Sequence, residues 1–411
     1  MVKQSTRRFE FSYFLLGLSN SISFHFIGLV IVAEIIICLL AIHKFLQVRS
    51  QMTNEEKRII HFLFFFGALW FLTQFFTDIY LDATTSDTLK SLSQIFVLIF
   101  LLLFMFLHFQ HNRIAFRSYL IGVSLSTMLI FLQSISSNKA GDWWKFYFGP
   151  SLSILILLYL GHIRLRNEIK FILIFGLSLI SFFLGSRSLG LILLFTAISF
   201  LDFFSTRGIG KSLCFLIALL LIGNFANSVF REASLSGRLG FAQQKKAQLQ
   251  YQAGPIFLVA RSEFLYQVAS IKESPIFGSG SNPNLSANAL ITAFDLENKY
   301  GVITKKTSAY AELVKTGKTP QHSIFFGAWL EGGIFSIILL LYLFIMMIRW
   351  NFRNDVRTSS SNYSILSRYC FFNFCWAFFF SPLGAGSRMT FALGIGICYF
   401  AYKDSITVKK L

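Results

Sequence analysis

Residues 320–348 read PQHS-IFFGAWLEGGIFSIILLLYLFIMMI, and the break between the two parts decides the architecture. The second part, 324–348, carries a single charge, Glu331. At about 1.5 Å per residue it is long enough, as a helix, to cross a hydrocarbon core of about 30 Å. The first part ends in Pro320, Gln321, His322 and Ser323, a polar approach that stops any preceding helix and offers caps to the next. A chain that passes from polar surface straight into apolar helix is entering a membrane.

Working outward, residues 230–330 have ordinary mixed composition, while both flanks are runs of Phe, Leu and Ile broken by short basic loops. The whole 411-residue chain is 55% hydrophobic, 17% aromatic and 14% charged, which excludes a soluble globular class. Apolar runs occur at 24–42, 59–80, 92–107, 119–134, 146–160, 169–185, 189–204, 213–230, 324–348, 365–381 and 389–401, with a shorter one at 9–23. The basic start, 1–8, is followed by no small-residue cleavage site, so an uncleaved chain is expected. All five cysteines, Cys38, Cys214, Cys370, Cys375 and Cys398, lie in apolar runs without C-x-x-C spacing, which argues against disulfides or a metal site.

The net charge of +18 could suggest nucleic acid, but its distribution reports topology instead. Lys44, Arg49, Lys57 and Arg58 share one loop, followed two loops later by Arg113 and Arg117. Arg164, Arg166 and Lys170 come next, then Arg207 and Lys211, Arg349, Arg353 and Arg357, and finally Lys403, Lys409 and Lys410. The alternate loops hold Asp82, Asp87, Lys90, Lys139, Asp142, Lys145, Arg187 and Arg388. Cytoplasmic loops retain Lys and Arg, so the first set is expected inside. The expectation is an all-α polytopic bundle of about twelve transmembrane helices with both termini inside, if 9–23 crosses; an interfacial helix there is the alternative. The division is 1–230 transmembrane, 231–322 an external, periplasmic cap between the ninth and tenth spans, and 323–411 transmembrane. Within the cap, 241–251, 261–271 and 307–315 have helical apolar spacing, and Ser274-Pro275 stops the second.

Among seven histidines, only His322 lies in the insert, at the start of a span. An imidazole there can take a hydroxyl proton, or it can simply neighbour a helix cap supplied by Ser323. Arg187 sits in Gly185-Ser186-Arg187-Ser188, a minimal turn between two apolar runs. A charge so close to hydrocarbon is paired or functional, unless it snorkels to lipid phosphates. Arg261 has Glu263 nearby, and a surface salt bridge is its plain reading; Arg231 and Arg238 have the same status. Together, residues 231–322 hold eleven Lys and Arg against six Asp and Glu, a balance that favours an anionic ligand. Guanidinium forks grip phosphate oxygens in pairs, so a lipid-linked diphosphate suits them. There is no D-x-D, no H-E-x-x-H and no G-x-x-x-x-G-K, and the intramembrane acids Glu34, Asp78 and Asp202 are scattered.

Three blocks resemble the bacterial O-antigen ligase and polysaccharide polymerase superfamily. They are Leu184-Gly185-Ser186-Arg187-Ser188, then 261–271 leading into Ser274-Pro275-Ile276-Phe277-Gly278-Ser279-Gly280, then Gln321-His322-Ser323 with Leu330-Glu331-Gly332-Gly333. The resemblance implies a membrane glycosyltransferase without metal or other cofactor, acting on undecaprenyl-diphosphate-linked oligosaccharide at the outer face of the inner membrane. On it, Arg187 and Arg261 hold the donor diphosphate, His322 serves the acceptor hydroxyl, and Arg231, Arg238 and Glu331 add substrate contacts. Membrane lipid, a chain-length regulator and a flippase are the partners it implies; nucleic acid is not. Ser323 in place of the ligases' common Asn, together with 70–78 (WFLTQFFTD), looks more like the polymerases of the family. A ligase joining polymer to lipid A core is the alternative within it. A flippase or secondary transporter is the rival of another class, but such proteins usually show repeat symmetry, and the late insert has no counterpart in the first half.

Overall fold

Where they are described, the apolar runs are mostly helical in the structure, a computed structural model that describes residues 2–25, 29–109, 112–135, 143–163, 165–200, 223, 225, 228–238, 240–252, 254–255, 259, 261–303, 307–353 and 361–409. The helices are α1 (Val2–Leu18), α2 (Val32–Val48), α3 (Asn54–Tyr80), α4 (Thr85–His108), α5 (Arg113–Ile135), α6 (Gly149–His162), α7 (Asn167–Phe183) and α8 (Arg187–Ile198). They continue as α9 (Phe241–Gln252), α10 (Glu263–Glu273), α11 (Ala287–Lys299), α12 (Ser308–Thr316), α13 (Ile324–Arg353), α14 (Ser364–Phe380) and α15 (Ala385–Lys409). By length and composition, Asn54–Tyr80, Thr85–His108, Ile114–Leu132, Trp144–His162 and Ile324–Asn351 can each cross a membrane. The chain is therefore an all-α helical protein with several candidate membrane spans, and its outer surface fits that class. Leu39, Phe65, Phe76 and Ile172 are all more than three-fifths exposed, which water would penalise and acyl chains would not.

Local chemistry fixes where helices start. Thr53 and Glu56 form a reciprocal cap, with the Glu56 amide donating to Thr53 Oγ1 at 3.3 Å and the Thr53 amide to Glu56 Oε2 at 2.8 Å. Thr84, Ser286 and Thr307 cap α4, α11 and α12 in the same one-sided way.

One expected span begins later than its apolar pattern suggests. Ser23–His25 and Leu29–Ile31 pair as a short antiparallel hairpin, Ser23 facing Ile31, and α2 starts only at Val32. Apolar runs of this length read alike as strand or helix, and here the β-branched Val30 and Ile31 take the strand. The stretch 9–23 is helical as far as Leu18, and α1 lies close along α5. A methyl at Gly17 would come within 2.4 Å of the Tyr119 carbonyl, and one at Gly122 within 2.3 Å of that of Phe14. Small residues are what permit such an approach. The expected span 189–204 is helical as far as Ile198 and its last four residues lie outside the described residues, as do most of 213–230 and Asp202, Arg207 and Lys211.

Helices α3, α4, α13, α14 and α15 share the main core, with Phe106, Trp350, Phe374, Phe378 and Tyr399 fully enclosed. Ion pairs join matching ends of the bundle. At one end Arg388, early in α15, grips Glu34 of α2 with two N–H groups, each 2.6 Å from a carboxylate oxygen. At the other, Lys403 lies 3.3 Å from Glu55 and 3.5 Å from Glu56 at the start of α3. The insert has its own small core, Tyr266, Ala269, Ala289, Ala293 and Ala309, which draws α10, α11 and α12 together.

Candidate functional site

The site is positioned by a loop that fills a break in a helix. Helix α13 kinks at Gly333, whose backbone (φ 65°, ψ −156°) is open to glycine almost alone. The loop after α10 lies against that kink. Ile334 donates its amide to the Ile276 carbonyl at 3.0 Å, while Ser279 and Gly280 donate theirs to the carbonyls of Leu330 (2.6 Å) and Glu331 (3.2 Å). A methyl on Gly333 would stand 2.0 Å from the Ile276 oxygen. The Pro-Ile-Phe-Gly-Ser-Gly and Leu-Glu-Gly-Gly blocks are thus two halves of one joint.

A polar stripe on α3 locks the joint. Asp78 accepts from the Ser281 amide and from its hydroxyl, each at 2.6 Å, and Thr77 donates to the Phe277 carbonyl at 3.2 Å. Gln74 donates to Ser281 Oγ (2.9 Å) and Glu331 (3.3 Å), and accepts from the Trp70 indole at 3.0 Å. Residues 70, 74, 77 and 78 fall on one helical face, which explains the polar positions inside an apolar run. Glu331 also accepts from Gln321 Nε2 at 2.9 Å and from the Asn282 amide at 3.1 Å. It therefore braces insert to bundle, in a network separate from the arginines.

Above the joint, Ser323 caps α13 by accepting the Phe326 amide at 3.2 Å and donates to the Phe378 carbonyl of α14 at 3.1 Å. That double tether fixes His322 beside it. The imidazole Nε2 stands 3.5 Å from Glu263 Oε1 and 3.6 Å from Glu312 Oε2. Glu263 is buried on α10, and Glu312 is exposed on α12. His322 and Arg261 line one cavity of about 320 Å³, walled by Phe264, Phe326, Phe379 and Phe380. The Arg261 guanidinium lies over the Phe380 ring at 5.8 Å. Burial pushes the Arg261 pKa down from the usual arginine range, with the Glu263 charge opposing; arginine stays protonated regardless.

Arg187 opens α8 after a turn through Gly185 and places its guanidinium over Phe230 at 5.1 Å. It is close enough to Arg261 and to the Tyr251 hydroxyl for each to act on it electrostatically. Arg231 stacks on the other partner, 4.6 Å from the Tyr251 ring. Burial raises the Tyr251 pKa and both arginines oppose it, so this phenol stays a neutral donor between two cations. Arg238 is exposed, and no contact joins it to this cluster among the described residues. Of the residues expected from sequence, Arg261 and His322 line one cavity, Arg187 lies within electrostatic reach of Arg261, Arg231 joins through Tyr251, and Glu331 and Arg238 stand apart.

Sequence reasoning missed Glu312 and Tyr251 and gave Glu263 only a salt-bridge role. The one signal for Glu263 was its place two residues after Arg261 on a helix whose other face is apolar. A larger cleft, about 810 Å³, opens between α3 and the loop after α10. It contains none of Arg187, Arg261 and His322, and its charges are Asp82, Asp87, Glu273 and one lysine, Lys318, a set unsuited to a diphosphate.

Chemically, the assembled site offers one guanidinium, Arg261, in a partly dry, aromatic-walled cavity with an imidazole clasped by carboxylates beside it, and a second guanidinium, Arg187, within electrostatic reach of the first. Like charges held together out of water favour a polyanion between them. Compared with protein-family models, curated proteins and solved structures, the chain has no significant match to any of them.

Proposed function

We propose that this chain is a membrane glycosyltransferase that polymerises lipid-linked polysaccharide repeat units at the outer face of a bacterial inner membrane. The observation that carries this reading is that Arg261 and His322 line one cavity at the joint between insert and bundle, with Arg187, from a third distant part of the chain, within electrostatic reach of Arg261. In this reading twelve spans cross the membrane, both termini are cytoplasmic, and the insert 231–322 is a periplasmic cap.

The reaction follows from the side chains. An acceptor sugar hydroxyl attacks the anomeric carbon of the donor, and the bond from that carbon to the diphosphate oxygen breaks. The electron pair leaves with the diphosphate, where Arg187 and Arg261 receive the charge. The hydroxyl proton passes to His322, whose charged form Glu263 and Glu312 stabilise. Fixed cations aimed at a developing charge are usually the largest catalytic contribution, about 3 kcal/mol or a hundredfold in rate for a single contact.

The test is complementation of a strain lacking this protein. Wild type restores long surface glycan; His322→Ala, still inserted in the membrane, restores none, and a single repeat unit remains on the acceptor. Normal chain lengths with His322→Ala sink the assignment. Undecorated core with lipid-linked polymer accumulating in the deletion strain moves it from polymerase to ligase.

A further inference from the structure

The cavity that Arg261 and His322 share has a further polar side chain in its wall, Gln267. This residue is buried, with 1% of its surface exposed, and its Nε2 donates to no acceptor among the described residues. A sealed amide without a partner is destabilising, and an apolar residue of like size would fill the same space without that cost. Gln267 follows Glu263 by one turn of α10, so the two lie on one helical face. Glu263 in turn stands 3.5 Å from the His322 imidazole, while Arg261 precedes the helix. The wall is thus polarised, with a guanidinium ahead of α10 and then a carboxylate and an uncharged amide along it.

We infer that Gln267 reads the sugar ring next to the donor's diphosphate, and that this amide, not the arginines, makes the site prefer a glycosylated lipid to the bare one. The inference rests on the transferase reading above and deepens it. A carboxamide has one donor end and one acceptor end; a sugar hydroxyl answers both, whereas a diphosphate answers only the donor. The Glu263 carboxylate one turn away repels phosphate and accepts from hydroxyls. The phenylalanine walls offer apolar surface to the C–H face of a ring, and about 320 Å³ lies near the lower end for a small-ligand site, room for one ring rather than an oligosaccharide. A ring gripped by Gln267 keeps its diphosphate toward Arg261, with His322 in the same cavity. A ligand without the ring leaves the amide unpaired, and that penalty creates the preference.

Binding to the purified full chain in nanodiscs tests this without requiring turnover. The probes are polyprenyl diphosphate, bare or carrying a single glucose, galactose or the 2-acetamido form of either. Wild type should bind at least one glycosylated probe about tenfold more tightly than the bare lipid, the worth of one good hydrogen bond. Gln267→Leu should erase that preference, keep the Kd for the bare lipid within about twofold, and unfold at a temperature no lower than wild type, because an unpaired amide has gone. Gln267→Asn keeps an amide but shortens its reach, and should lose the preference as well. Arg261→Ala should weaken both kinds of probe. No preference in wild type, or one that survives Gln267→Leu, overturns the inference. Equal weakening of both probes by Gln267→Leu, with a lower unfolding temperature, makes Gln267 a structural residue and overturns it too. A preference lost in Gln267→Leu by a protein that transfers no sugar supports this site and sinks the transferase reading alone.

Discussion

His322 sits between a buried carboxylate and an exposed one, and the difference sets their worth. Glu263 is held in the dry cavity wall, so its field reaches the imidazole with little screening, whereas water attenuates Glu312. We expect Glu263→Gln to lower kcat about tenfold with KM unchanged, and Glu312→Gln to do much less. A change in KM alone would make Glu263 a substrate contact. For Arg187→Lys and Arg261→Lys the loss should be about a hundredfold despite retained charge, because an ammonium cannot offer the planar fork. Full activity in Arg187→Lys would reduce it to a lipid anchor. The arginines and His322 were legible because a charge at a membrane boundary carries a cost that sequence alone displays. Glu263 was not, since an acid on an amphipathic helix reads as a solvated face until its neighbours are known.

At the scale of elements, the joint between the loop 276–281 and the kink in α13 organises everything above it. A side chain at Gly333 would meet both a strained backbone and the Ile276 oxygen at 2.0 Å. Gly333→Ala should therefore cost on the order of 3 kcal/mol and loosen the cap. Faster proteolysis within 231–322, with the bundle intact, is the expected readout; unchanged protection contradicts the joint. Both glycine blocks were visible as motifs, but not that one fills the other, because that contact spans more than fifty residues of chain. Helix α11 escaped notice for another reason: its fully buried apolar positions are small alanines, Ala289 and Ala293, not a stripe of large side chains. The early hairpin escaped because apolar periodicity over a few residues does not separate strand from helix.

For the whole molecule, buried charge ties the bundle ends together and orients the cap. Removing Glu34 would strand Arg388 in a nearly dry site, so Glu34→Ala should destabilise the purified protein by about 3–5 kcal/mol. Replacing both residues by Met should recover most of that loss, as read from thermal unfolding in detergent; no recovery would mean that the pair contributes more than its own neutrality. The bundle class was plain from composition, whereas the pairing of α2 with α15 was not, since scattered intramembrane charges show no partner until the helices are arranged. The site's role is tested most directly with purified protein in proteoliposomes supplied with a polyprenyl-diphosphate-linked oligosaccharide. Wild type should extend the glycan and release polyprenyl diphosphate, with chelator present. His322→Ala should still bind the donor and yet release about a hundredfold less. Release by His322→Ala at the wild-type rate would contradict a glycosyl transfer centred on this cavity.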